Sequence, residues 1–300
     1  MASVSAWLVS FRLRTLPLSL STIFMGSFLA AFHGSFSWII FSLAVLTTLC
    51  LQILSNLAND YGDAVSGVDN QGRIGPERSI QAGLITKAQM KKAIIVFIFL
   101  SLISGIALII AGTKGIKLSY GILFFALGIG AIIAALKYTM GKNPYGYSGF
   151  GDVFVFIFFG LVGVMGVYFL YTHSFSAEEF LLAISMGCFS TGVLNLNNLR
   201  DRENDAAFGK RTLVVKIGAE KAKIYHAVLL SIGMLTAIIY YIINVIPIWK
   251  YFFVLAFIGI IKSIIVVFKN KNPELLDSEL KKLAISTLLF SLLFGLSILL

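Results

Sequence analysis

The feature that most constrains the fold of this chain is a long uncharged stretch near its start. Residues 15–59 contain no Lys, Arg, Asp or Glu, and only the short polar segment HGSFS at 33–37 interrupts them. Each half is about as long as the roughly 20 apolar residues that an α-helix needs to cross a bilayer. The sequence therefore predicts two membrane-spanning helices joined by a short turn.

Seven further apolar segments predict seven more spans. The chain is 58% hydrophobic and 13% charged, whereas soluble domains average about 25% charged residues. We predict one all-α domain over residues 1–300, a polytopic membrane bundle of nine transmembrane helices. The later spans are expected at 93–112, 118–136, 153–171, 180–198, 225–246, 248–268 and 283–300.

The positions of Lys and Arg predict the orientation of the bundle. All but three of the 24 such residues lie at the N-terminus or in the loops after spans 2, 4, 6 and 8, and the exceptions are Lys114, Lys117 and Lys250. Basic residues concentrate on the cytoplasmic side of membrane proteins. We expect a cytoplasmic (inner) membrane protein with a cytoplasmic N-terminus and an outside C-terminus. Because the positive charges flank apolar spans, the expected partner is the lipid bilayer and not nucleic acid.

Two acidic segments follow span 2 and span 6, on the same predicted side. The first reads NLANDYGDAVSGVD (56–69), and the second contains NNLRDREND (197–205). Their spacings, i, i+4, i+7 and i, i+3, i+7, place an amide and two carboxylates on one helix face. The residues on these two faces are Asn56, Asp60 and Asp63, and Asn198, Asp201 and Asp205.

This set of side chains predicts a magnesium site that binds a diphosphate. Carboxylate and amide oxygens suit Mg²⁺, which proteins commonly hold through one or two carboxylates and the phosphates of a substrate. The predicted metal ligands and catalytic residues are Asp60, Asp63, Asp201 and Asp205, and the predicted diphosphate partners are Arg73, Arg78 and Lys210. A cation-coupled transporter is the alternative, although intramembrane acids of a pathway would not be expected only at span ends.

The two acidic segments resemble the UbiA superfamily of membrane prenyltransferases, through NDYGD (59–63) and RDREND (200–205). Other segments resemble the branch that prenylates 1,4-dihydroxy-2-naphthoate in menaquinone biosynthesis. The resemblance covers about residues 6–215, and the last three spans match by hydropathy alone. The segments of the branch are FRLRTLP (11–17), LQILSNLANDYGDAVSGVD (51–69), RIGPERSIQAGLIT (73–86), YTMGKNPYGYSGFGDVFVFIFFG (138–160) and NNLRDRENDAAFGKRTL (197–213).

The resemblance implies nine helices around a central cavity and an Mg²⁺-dependent reaction. In that reaction a polyprenyl chain passes from polyprenyl diphosphate to the naphthoate ring, with loss of diphosphate and CO₂. The matching motif positions are Asn56, Asn59, Asp60 and Asp63, and Asn198, Asp201 and Asp205. Related sequences often have one more acid four residues after each motif, where this chain has Gly67 and Gly209. The role of Asp69, offset by two positions, is left open.

The loop at 137–152 supplies candidates for binding the aromatic acceptor. They are Tyr138, Lys142, Tyr145 and Tyr147, with Asp152 to orient the loop. Tyrosines of the membrane interface are the alternative interpretation, and Arg12 and Arg14 carry the same ambiguity. Another aromatic acceptor, such as 4-hydroxybenzoate, is the alternative substrate.

Two glycine-rich regions carry structural predictions. Segment 66–83 is rich in Gly and charge, and we expect it to form a mobile cap over bound substrates. Gly160, Gly163 and Gly166 are expected to mark close helix packing.

Overall fold

The computed structural model describes residues 2–69, 74–75 and 77–300, which form helices and turns without β-strands. Nine helices in the described part of the chain are long and apolar enough to cross a membrane. The prediction of an all-α, nine-span membrane bundle is therefore confirmed. We number the spans α1 Val4–Phe32, α2 Trp38–Ser66, α3 Lys87–Gly112, α4 Leu118–Lys137, α5 Gly151–Thr172, α6 Glu179–Arg200, α7 Ala219–Ile243, α8 Ile248–Lys269 and α9 Pro273–Leu299.

Several helices begin well before the apolar segment that predicted them. The added turns carry charged side chains, whose apolar stems pack along a helix while their charged ends reach water. At the start of α3, Thr86 and Gln89 form a capping box, in which each side chain accepts from the backbone N–H of the other. Hydropathy thus located the part of each helix in hydrocarbon and not its ends. The helices concerned begin at Lys87, Ala219 and Pro273, instead of 93, 225 and 283.

The first span is bent close to its start. Its first helical segment, Val4–Phe11, ends at Arg12, whose φ of 49° is left-handed. The second segment carries Pro17 in its first turn, where a missing N–H costs nothing. The bend turns Arg12 towards α2, where its guanidinium donates to Asp60. The local backbone therefore brings a cation from α1 to the first acidic motif.

Close helix packing occurs at two of the three predicted glycines of α5. A Cβ on Gly160 would lie 2.9 Å from Cα of Gly187 in α6, and a Cβ on Gly163 would lie 2.9 Å from Oγ1 of Thr22 in α1. At Gly166 the nearest atom would be 3.6 Å away, an ordinary contact. Small residues let helix backbones approach each other. Gly160 and Gly163 therefore set how near α5 stands to α6 and α1.

Candidate active site

A cavity of about 400 Å³ lies among α1 to α6 and α9. Its walls differ between its two ends. Towards the end of α2 and α6 they are polar and charged, and include Asn59, Asp63, Arg78, Tyr138, Asn197, Asp201, Asp205 and Lys210. Towards the opposite ends of α3, α4 and α5 they are apolar, and include Leu108, Ile109, Phe124, Leu127, Phe158, Val162 and Leu170. The cavity therefore suits a ligand with an anionic head and an apolar tail.

Two amide–carboxylate pairs face this cavity. Asn59 and Asp63 line it from α2, and Asn197 and Asp201 line it from the end of α6. Both pairs have the spacing i, i+4, which stacks side chains one turn apart. The predicted second motif started instead at Asn198, which is buried but does not line the cavity. Asn197 was missed, although it repeats the spacing of the first pair.

The second motif does not lie on one continuous helix, as its spacing predicted. Helix α6 ends at Arg200, and a short helix, Arg202–Ala207, begins after Asp201. The backbone of Asp201 has φ −91° and ψ 5°, which interrupts the α-helical rows. Asp205 still reaches the cavity from the short helix. The two carboxylates therefore reach one cavity from the ends of two successive helices and not from one continuous helix.

The carboxylate of Asp60 forms ion pairs with two arginines, Arg12 and Arg78. The carboxylate is 1% exposed, accepts from Arg12, and its Oδ1 lies 3.4 Å from Nη1 of Arg78. Nε of Arg78 also lies 3.9 Å from a carboxylate oxygen of Asp69. A buried charge needs such pairing because solvation is lost. Asp60 and Asp69 thus hold arginines at the cavity, whereas Asp63 lines the cavity itself. Asn56 supports the same corner, since its Nδ2 donates to the carbonyl of Phe11 at 2.9 Å.

Lys210 and Asp205 form a buried ion pair beside the other carboxylates. Nζ of Lys210 lies 3.4 Å from Oδ1 of Asp205. Burial raises the pKa of Asp205 to about 6, with Lys210 lowering it and Asp201 and Asp63 raising it. Burial lowers the pKa of Lys210, but the surrounding carboxylates, Asp63 first, more than offset this, so its pKa is raised. Lys210 therefore stays positively charged inside the cavity.

Tyr147 binds Asp63 from the loop before α5. Its Oη donates to Oδ1 of Asp63 at 2.7 Å and lies 2.7 Å from Oγ of Ser66. Nζ of Lys210 lies 5.5 Å from the centre of its ring. Burial raises the pKa of Tyr147, and the charge of Asp63 raises it further. The phenol thus stays a neutral donor that orients Asp63.

The Tyr147→Phe variant tests this orientation. It removes one hydrogen bond to a carboxylate, worth about 1.5–3 kcal/mol, but keeps the ring that faces Lys210. We expect kcat/KM for the diphosphate substrate to fall about tenfold or more, measured at saturating Mg²⁺. The matched control is Tyr61→Phe in α2, a residue outside the cavity lining, which we expect to keep full activity. Equal kinetics for the two variants would contradict the role of Tyr147.

The other candidates from the acceptor loop separate into two groups. Tyr138 and Tyr145 line the cavity, and Tyr145 is fixed by donating to the carbonyl of Ala134 at 2.9 Å and by stacking on Phe154 at 4.0 Å. Lys142 is exposed and does not line the cavity, because it lies in the turn after α4. Burial raises the pKa of Tyr138, and the buried Asp152 nearby, with Asp63 and Asp205, raises it further.

Part of the predicted cap, 66–83, lies outside the described residues, and Arg73 belongs to that part. Its described part is joined to both sides of the site. Oγ of Ser79 donates to the carbonyl of Ala6 at 2.9 Å, and Nδ2 of Asn204 donates to the carbonyl of Val68 at 3.0 Å. These contacts connect the loops of the two acidic motifs to each other and to α1.

The donor set fits Mg²⁺ that arrives with a phosphate ligand. Within the described ranges, no three His, Cys, Asp or Glu side chains are close enough to enclose a metal ion by themselves. Asp63, Asp201 and Asp205 nevertheless line one cavity, and Oδ2 of Asp205 is buried without a hydrogen-bond partner. Mg²⁺ is usually held by one or two carboxylates, waters and substrate phosphates. The site therefore offers carboxylates for a shared metal and not a closed cage.

The fold and the site together define an integral membrane protein whose cavity suits an amphiphile with an anionic head. Comparison with known proteins places it more closely. Residues 19–293 match the model of the UbiA prenyltransferase family. The chain belongs to this family, and the family predicted from the two acidic motifs is confirmed.

Two bacterial relatives are similar over nearly the whole chain. A protein of Haemophilus influenzae, 1,4-dihydroxy-2-naphthoate octaprenyltransferase, is 43% identical over 295 residues, which cover 98% of this chain and 95% of that protein. The protein of the same name from Escherichia coli is 41% identical over 293 residues, covering 98% and 94%.

Solved structures share the fold. A UbiA homologue from Aeropyrum pernix superposes with a TM-score of 0.69 at 14% identity, covering 96% of this chain and 98% of that one. A homologue from Archaeoglobus fulgidus, bound to DMAPP and Mg²⁺, superposes with a TM-score of 0.60 at 18% identity, covering 95% and 98%.

Proposed function

We propose that this chain transfers a polyprenyl group from polyprenyl diphosphate to 1,4-dihydroxy-2-naphthoate, with release of diphosphate and CO₂, in menaquinone biosynthesis. The observation that carries the proposal is the cavity with carboxylates, Arg and Lys at one end and apolar walls at the other. The relatives that are 43% and 41% identical are named for this activity. The cavity and the names of these two relatives both support the function that the sequence predicted.

The charged end of the cavity would hold the diphosphate and its metal. We assign Mg²⁺ binding to Asp63, Asp201 and Asp205, because they line the cavity. The bound metal would supply positive charge to the phosphate oxygens as the bond to the prenyl group breaks. Arg78 and Lys210 line the same end and would bind phosphate oxygens directly. Asp60 is assigned to holding the two arginines that contact it, instead of the metal-ligand role that the sequence predicted.

The chemistry then takes place between the charged and apolar walls. The allylic carbon–oxygen bond breaks, and the bonding electrons leave with the diphosphate. A carbon of the electron-rich naphthoate ring forms a bond to the resulting allylic cation, and the ring carboxylate leaves as CO₂. Tyr138 and Tyr145, at the border of the two regions, would bind the ring. The apolar walls keep water from the cation, and Phe124 and Phe158 are among the residues that would contact the prenyl chain.

The chain is a multi-pass membrane protein, and we propose its orientation from its basic residues. The polar end of the cavity lies at the Lys- and Arg-rich ends of the spans, where α2 and α6 end. Positive charge favours the cytoplasmic side. We therefore propose a cytoplasmic N-terminus and active site and an outside C-terminus.

The function is tested with purified protein in lipid nanodiscs. Radiolabelled octaprenyl diphosphate, Mg²⁺ and either 1,4-dihydroxy-2-naphthoate or 4-hydroxybenzoate are supplied, with and without EDTA. We expect a prenylated, decarboxylated naphthoquinol that disappears with EDTA. If only 4-hydroxybenzoate gave product, the assignment of naphthoate as the acceptor would be wrong. If folded protein gave no product with either acceptor, the assignment as a prenyltransferase would be wrong, and cation transport would be assayed next.

The pH dependence of Mg²⁺ activation follows from Asp205. Its pKa is raised to about 6, so the carboxylate is ionised above this pH and takes up a proton below it. Because a metal ligand must lose its proton to bind, the half-saturating Mg²⁺ concentration should rise as the pH falls from 7 to 5. The rise approaches about tenfold per pH unit below the pKa. Asp205→Asn should need more Mg²⁺ at every pH and lose this dependence, and an identical pH profile in the variant would contradict the assignment.

A further inference from the structure

The start of α9 brings a carboxylate to the second motif. Asp277 accepts from Nη1 of Arg200 at 2.5 Å and from Nη1 of Arg14 at 2.9 and 3.2 Å. The side chain of Arg200 is 0% exposed, and Arg14 lines the cavity. One carboxylate of the last span is therefore shared between an arginine of the first span and an arginine of the sixth.

The other side of the Arg200 guanidinium holds the cavity-facing pair of the second motif. Its Nε and Nη2 donate to the two oxygens of Asp201 at 2.8 and 2.7 Å. Its Nη2 also donates to Oδ1 of Asn197 at 3.0 Å. A bidentate Arg–carboxylate pair fixes orientation as well as distance. The direction in which Asp201 and Asn197 face the cavity thus depends on how Arg200 itself is held.

The charge balance around Arg200 also depends on Asp277. Arg14 and Arg200 carry two positive charges, which the carboxylates of Asp277 and Asp201 balance. Without Asp277, the buried guanidinium would have Asp201 as its one carboxylate partner among the contacts described, and the local charge would become more positive by one unit. The Arg200 side chain is 0% exposed and that of Asp277 is 32% exposed, and leaving a buried charge with one partner fewer is destabilising. Both effects would weaken cation binding at Asp201.

We propose that Asp277 is a positioning residue of the active site. Through Arg200 it orients Asp201 and Asn197, and its negative charge offsets one of two arginines that would otherwise weaken cation binding at Asp201. The inference rests on the proposed function in one respect, which is that Asp201 takes part in binding the metal–diphosphate.

The test compares two variants of the full-length protein in detergent, Asp277→Asn and Glu274→Gln. Glu274 is an exposed carboxylate near the start of the same span, so its variant removes the same charge without touching Arg200. Mn²⁺ binding in the presence of inorganic diphosphate is measured by electron paramagnetic resonance. We expect Asp277→Asn to weaken Mn²⁺ binding about 10- to 100-fold, as replacement of a residue behind a metal ligand does, and Glu274→Gln to bind like the wild type. Equal Mn²⁺ affinities for the two variants would overturn the proposal.

A second variant keeps the test decisive if Asp277→Asn does not fold. Arg200→Lys keeps the positive charge but loses the planar group that contacts three side chains at once. We expect Arg200→Lys to weaken Mn²⁺ binding to a similar degree, and wild-type affinity in this variant would overturn the proposal. Wild-type protein that binds Mn²⁺ with diphosphate but does not prenylate naphthoate would overturn the proposed function and leave the role of Asp277 standing.

Discussion

The Asp63→Asn variant is expected to lose nearly all prenyl-transfer activity. Asp63 lines the cavity, and its loss removes one of the three carboxylates assigned to Mg²⁺. Replacing a residue behind a metal ligand costs about 10–100-fold, so replacing a ligand should cost kcat at least about 100-fold. The measurement is single-turnover prenyl transfer over a wide range of Mg²⁺ concentrations.

The control for Asp63→Asn is Glu203→Gln. Glu203 lies between Asp201 and Asp205 in sequence, but its side chain is 77% exposed and pairs with Arg202. An exposed ion pair contributes little, so this variant should retain wild-type kinetics. If Asp63→Asn kept more than a tenth of the wild-type kcat, Asp63 would not be a ligand of the catalytic metal.

The Gly62→Ala variant is expected to destabilise the protein and to lower its activity together. A Cβ at this position would lie 2.4 Å from Oγ1 and 2.7 Å from the carbonyl oxygen of Thr139, so the backbone of the loop after α4 or α2 itself must move. Overpacking of this kind costs about 1–3 kcal/mol. Because the next residue is Asp63, kcat should fall together with the midpoint of thermal unfolding, and both are measured in the same detergent.

Gly130→Ala is the matched control for this effect. Gly130 lies inside α4, and a Cβ there would meet nothing within 4 Å. Alanine is favoured over glycine in helix interiors by up to about 1 kcal/mol, so this variant should be at least as stable as the wild type. Equal unfolding midpoints for Gly62→Ala and Gly130→Ala would contradict the close approach of α2 to Thr139.

Hydropathy and spacing in the sequence predicted the spans and most of the charged end of the cavity. Asp63, Asp201, Asp205, Arg78 and Lys210 were all predicted and all line it. The signal was local, because each acidic residue stands where an apolar span ends. The ends of the helices were predicted less well, because hydropathy reports only the part of a helix that lies in hydrocarbon.

The roles that we reassign, and those that the sequence did not predict, depend on contacts between distant elements. Asp60 shares the spacing of its motif, but the bend at Arg12 gives it a cation, which no periodicity in α2 reveals. Asp277 lies 77 residues from Arg200, in a span identified by hydropathy alone. Asn197 is different, because its i, i+4 relation to Asp201 repeats that of Asn59 to Asp63 and was visible in the sequence.

The contact between the last span and the second motif has a consequence for how this protein matures. Membrane spans are synthesised in order, so α9 is the last to be inserted, yet Asp277 at its start completes the contacts of Arg14 and Arg200. Oγ of Ser291 in the same span donates to the carbonyl of Ser21 in α1 at 2.7 Å. In the first span, Arg14 and the carbonyl of Ser21 therefore gain these partners only once the ninth span has been made. A chain that stops short of residue 273 would lack Asp277 and Ser291, and with them these contacts to Arg14, Arg200 and Ser21.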